Sequence, residues 1–124
     1  MGVGRLTKPA LMTIIRVMME RGKYEIIYAT QVHEHLCAIE PKYYSLIRVA
    51  IEQQLQFEPD SETRNRKPLR SPGIHDAEWE LRFGPNNRFR VFYQVDQQNR
   101  KVQILAVGVK ERNRVYISGE EFKP

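Results

Sequence analysis

The chain has 124 residues, a formal net charge of +5 and a pI near 9.5, with 41% hydrophobic and 28% charged residues. These values suit one globular domain that buries a core without metal, and they exclude a disordered chain and a membrane span. A single cysteine, Cys37, excludes an intramolecular disulfide, so a buried structural thiol in a reducing, cytoplasmic protein is expected, and the basic balance favours a polyanionic partner.

Lys8 to Arg21 is the first helix candidate. Pro9 suits a first turn, Leu11, Ile14, Ile15 and Met18 fall on one face, and Gly22 can end the helix. The expectation is that this face packs on the domain's own core, with a second copy or another protein as the alternatives. Arg16 interrupts the apolar run, which argues against a secretory signal. Residues 1–22 are taken as an N-terminal helical extension, although Met18 or Met19 could also start the chain, and 23–124 as the principal domain.

Tyr24 to Tyr28 is β-branched and aromatic, as a strand requires, and a helical pattern follows through Ala29, Val32, Leu36 and Ile39. Pro41 opens a second helix lined by Ile47, Ala50, Ile51 and Leu55 and stopped before Pro59, so the pair should form a helical hairpin on one sheet face. From Glu58 to His75 the chain is polar and basic, with Arg64, Arg66, Lys67 and Arg70 among prolines and a glycine, and reads as a connecting segment.

Trp79 to Lys110 contains the sheet. Trp79, Leu81 and Phe83 alternate with Glu80 and Arg82; Gly84, Pro85, Asn86 and Asn87 make the turn. In the next run Phe89, Val91, Tyr93 and Val95 share one face, with Arg90, Phe92 and Gln94 on the other. After a polar bend, Val102 to Val109 is nearly all apolar, as a central strand should be. The expected class is therefore α+β: a small antiparallel sheet packed by an N-terminal helical hairpin, plus an additional N-terminal helix.

Metal and cofactor chemistry find no support. His33 and His35 are two apart, which on a helix points them roughly 200° from each other. His75, beside Asp76 and Glu78, reads as an exposed loop histidine more readily than as an acid–base group. No phosphate-binding glycine loop, zinc-protease motif or nucleophile elbow is present. What stands out is a set of cations: Arg82 and Arg90 share a face by parity, and Lys110, Arg112 and Arg114 lead to Tyr116. Guanidinium groups match phosphate oxygens and stabilise charge on a transferring phosphoryl group, and a tyrosine can move a proton if nearby cations favour its phenolate. Spacing leaves a second reading equally open, a solvated basic edge with Tyr116 packed on the core.

The runs RKPLR, WELRFGPNNRFRVFYQVD and VQILAVGVKERNRVY, with YEIIYATQVHEHL upstream, resemble the RelE/ParE superfamily of toxins from bacterial toxin–antitoxin systems, and its RelE branch most. The resemblance covers roughly Lys23 to Phe122 and implies a toxin fold in which a strand and a helical hairpin precede an antiparallel sheet. It implies translation inhibition by ribosome-dependent mRNA cleavage, through attack of a 2′-hydroxyl on the scissile phosphate; the alternative is a ParE-like, non-nuclease toxin that inhibits DNA gyrase or another protein. By motif, Arg90 matches the strand arginine on the scissile phosphate, Lys110 an arginine that stabilises the transition state, and Tyr116 the tyrosine that takes the proton. Arg70, Arg82, Arg88 and Arg112 are the further cations expected on nucleic acid. The implied partners are a cognate antitoxin, the ribosome and mRNA, with no membrane, no metal and no small-molecule cofactor. Lys110 lacks the bidentate fork, Glu80 stands where the RelE pattern has a lysine, and Lys67 lies where a related ribonuclease branch has a catalytic glutamate.

Overall fold

The computed structural model describes residues 7–70 and 73–123. Helix α1 (Lys8–Arg21) precedes strand β1 (Glu25–Tyr28), helix α2 (Val32–Cys37) and helix α3 (Tyr44–Leu55), the last entered through a 3-10 turn at Pro41–Tyr43. Strands β2 (Arg66–Pro68), β3 (Trp79–Phe83), β4 (Phe89–Asp96), β5 (Lys101–Glu111), β6 (Arg114–Ile117) and β7 (Glu120–Phe122) follow. The architecture is the α+β fold expected, with a mostly antiparallel sheet and few helices.

The sheet has seven strands, ordered β2-β3-β4-β5-β6-β7, with β1 added to β5 in parallel. β5 is the longest strand and is buried without a break from Ile104 to Gly108, which accounts for its almost unbroken apolar run. Pairing between β4 and β5 shifts at Phe92/Tyr93, where Ala106 and Ile104 become the partners and Leu105 is the extra residue of a bulge.

The two sheet faces carry separate cores. On the helical face, Leu81, Phe89, Val91, Tyr93, Val102, Ile104 and Val107 meet Val32, Ile47, Ile51 and Leu55. Tyr93 fixes the long connection across this core by donating its hydroxyl to the Pro59 carbonyl at 2.6 Å. The opposite face has a smaller cluster of Ala77, Phe92, Leu105, Ala106 and Ile117.

Several expectations need correction. The segment 58–75 is not only a connection: Arg66 to Pro68 pairs with β3, and Arg66 is a buried cation that donates Nε–H to the Ser61 carbonyl at 3.0 Å. Cys37 is exposed, because the six-residue α2 turns it away from the sheet while Val32 and His35 face inward. Leu11, Ile14 and Ile15 of α1 stay 39–44% exposed, so this face does not join the domain's core. After Lys110 the chain makes two further strands. Both turns, Arg112–Asn113 and Ser118–Gly119, hold their two central residues at positive φ, as two-residue hairpins require.

Candidate nucleic-acid interface

Antiparallel register sets the site. Arg82 lies directly across from Arg90, and Arg90 directly across from Gly108 of β5, so the missing side chain at 108 leaves room beside the guanidinium. A Cβ at Gly108 would stand 3.0 Å from both Ile117 Cγ1 and the Tyr116 carbonyl, and the glycine thus lets β6 fold tightly over this face. A groove of about 780 Å³ results, lined by Arg70, Arg82, Arg90, Lys110, Arg114 and Lys123 against Glu80 and Glu121. Its floor is the small apolar cluster, with Phe92, Val115 and Phe122 in the lining.

Arg90 is only 4% exposed. Burial, and after it the charge of Arg82, lowers its pKa from the ordinary arginine value, whereas Glu80 opposes the shift; a guanidinium nonetheless keeps its charge at neutral pH. Glu80 Oε1 accepts from Arg82 Nε at 2.8 Å and forms an ion pair with Arg90, whose Nε lies 3.1 Å away, and Arg90 Nη1 donates to the Asn87 carbonyl. At the rim, Arg114 pairs with Glu121 at 3.7 Å. The site therefore presents held cations over an apolar floor, suited to an anionic chain and able to stabilise negative charge on phosphate.

Of the residues singled out by sequence, the structure brings Arg70, Arg82, Arg90 and Lys110 together here. It does not bring Tyr116. Tyr116 pairs with Val109 while Val115 pairs with Lys110, which puts Tyr116 on the helical face. There it lines a separate cleft of about 430 Å³ with His35, Tyr43 and Arg88. Arg88 is also on that face, donating to the Tyr43 hydroxyl at 3.1 Å and stacking over its ring. Arg112 occupies the β5–β6 turn. Lys123 in the lining was not anticipated; the alternation of Val115, Ile117 and Phe122 around Ser118-Gly119 was the available signal.

His35 has a structural task. β1 pairs with β5 as far as Ile104 and β6 joins at Val109, so β5 lacks a strand partner on that side between them. Two α2-side groups fill the gap: Gln31 Nε2 donates to the Leu105 carbonyl at 3.1 Å, and His35 Nδ1 accepts from the Val107 N–H at 3.3 Å. Burial, helped by the charge of His75, lowers the His35 pKa, consistent with a neutral ring as acceptor.

Among the described residues, no three His, Cys, Asp or Glu side chains converge on a possible metal position, and no helix is long and apolar enough to cross a membrane. No protein-family model matches the chain, and no curated protein matches it in sequence. Among solved structures, a chain of the RelBE2 toxin–antitoxin complex from Mycobacterium tuberculosis is similar, with a TM-score of 0.55 and 25% identity, over 71% of this chain and 99% of that one. Both the motifs and this likeness lead to the same result: the chain has the RelE-like toxin fold.

Proposed function

We propose that the chain is the toxin of a toxin–antitoxin module and inhibits translation by cleaving mRNA in the ribosome. The observation that carries this reading is the convergence of Arg82, Arg90 and Lys110 in one groove on the sheet face opposite α2 and α3. An RNA strand lies in that groove with its scissile phosphate at Arg90 and Lys110. The 2′-oxygen attacks phosphorus, the bond to the 5′-oxygen breaks with its electron pair leaving on that oxygen, which takes a proton from water, and the products are a 2′,3′-cyclic phosphate and a 5′-hydroxyl. Arg90 and Lys110 stabilise the charge that builds on the phosphoryl oxygens. Tyr116 faces the other side of the sheet, so the groove works by charge and position: the 2′-hydroxyl proton leaves to water, and the ribosome supplies in-line alignment of the message. Similarity to a member of a toxin–antitoxin complex supports a cognate antitoxin as the partner that silences the chain.

Inducible expression of the full chain with mapping of mRNA ends tests this. Growth arrest with codon-linked cleavage is expected for the wild type, and Arg90→Ala should lower cleavage at least ~100-fold, the scale of losing one transition-state charge contact. Chromosome breaks with intact mRNA would replace this reading with gyrase inhibition.

A further inference from the structure

Glu80 is the unexpected residue in the groove. A carboxylate beside a phosphate site repels the substrate, yet its side chain is only 13% exposed and one oxygen pairs with two arginines. The register explains why it is there. Arg82 and Arg90 are direct cross-strand neighbours, an arrangement in which like charges repel and would splay their side chains apart. Glu80, two residues before Arg82 on the same face, contacts both guanidiniums, accepting the Nε–H of Arg82 and ion-pairing with Arg90.

What remains free is informative. A guanidinium has five N–H donors. Arg82 spends its Nε on Glu80; Arg90 spends one Nη1 donor on the Asn87 carbonyl, and its Nε side faces Glu80 as an ion pair at 3.1 Å. The Nη2 groups of both arginines take no part in these bonds. Two guanidiniums held on one carboxylate oxygen line the same groove, which is the preorganisation a phosphoryl-transfer site needs.

We propose that Glu80 is a positioning residue for this reaction: it holds Arg82 and Arg90 as a single phosphate clamp and accepts weaker overall RNA attraction as the consequence. The inference rests on the RNA-cleaving reading above. It makes two effects of one substitution run in opposite directions. Without the carboxylate the groove gains a net positive charge and binds RNA more tightly, while the arginines lose their fixed geometry and turnover falls.

The test uses the full-length protein as wild type, Glu80→Ala, Glu80→Gln and Arg90→Ala. Affinity for a mixed-sequence single-stranded oligoribonucleotide is measured against salt, and single-turnover cleavage is measured on programmed ribosomes. Glu80→Ala should bind the oligonucleotide several-fold more tightly, with the log–log salt slope steeper by about one, and should cleave at least tenfold more slowly. Glu80→Gln keeps a side-chain oxygen as acceptor and should recover part of the rate. If affinity and rate fall together, Glu80 is only structural and the proposal is overturned. If the rate of Glu80→Ala rises or is unchanged, the carboxylate is a brake or a bystander, and the proposal is again overturned. Arg90→Ala separates the two layers: cleavage that survives in Arg90→Ala defeats the RNA-cleaving site itself, whereas loss there with normal Glu80 variants defeats only the clamp.

Discussion

The same strands present two unlike faces. On the helical side Phe89, Val91 and Tyr93 are fully or almost fully buried under α2 and α3; on the other side Arg90 and Phe92, interleaved with them, form a charged groove over a small cluster. Side-chain parity alone assigns a residue to folding or to chemistry here, and a shift of one position exchanges the roles. Tyr116 illustrates this. A two-residue turn at Arg112–Asn113 puts Val115, and not Tyr116, beside Lys110.

The comparison can be broken from either side. The largest effect should come from the helical face: Ile51→Ala, at a fully buried site, is expected to cost about 3 kcal/mol in urea unfolding with an unchanged slope. Gly108→Ala should cost about 2 kcal/mol, because the new methyl meets β6 on the groove side; cleavage should fall as well, since Arg114 and Val115 line the groove from that strand.

The His35 contact gives a smaller, pH-dependent effect. Its folded pKa is lowered, so the folded state binds fewer protons than the unfolded one and protonation favours unfolding. Stability should be complete above the ordinary histidine value of about 6.5 and decline as pH falls below it. Thermal midpoints of the wild type against His35→Gln, which keeps an acceptor but does not titrate, measure this contribution as the difference in slope. The smallest effect should be that of Tyr116→Phe: with the hydroxyl outside the groove, cleavage should stay within about twofold of wild type. A loss approaching that of Arg90→Ala would show that the two faces act together.

Much of this contrast was legible in the sequence. Period-two alternation from Trp79 to Val95 placed Arg82 and Arg90 on one face, and the unbroken apolar run of β5 marked the central strand, because both follow from burial. What was hidden depended on other physics. β2 is short and basic, and Arg66 is buried because its donors reach the carbonyls of Ser61 and Gln54, which no hydropathy pattern reports. β6 and β7 are joined through turns that put Arg112, Asn113 and Ser118 at positive φ; arginine carries little signal for that conformation, so the face of Tyr116 followed from a turn the sequence did not announce. Glu80 was visible as a departure from the family's lysine, but its role depends on cross-strand register.

The parallel pairing of β1 with β5 also bears on how the protein is made. Ile26 meets Val102, near opposite ends of the domain, so β1 has no sheet to join until β5 has been synthesised. Contacts so distant in sequence form late and slowly. Arg90 and Lys110 likewise come together only when β4 and β5 pair. The groove is therefore a product of long-range strand pairing, and no single segment of the chain carries its cations in place before β4 and β5 have met.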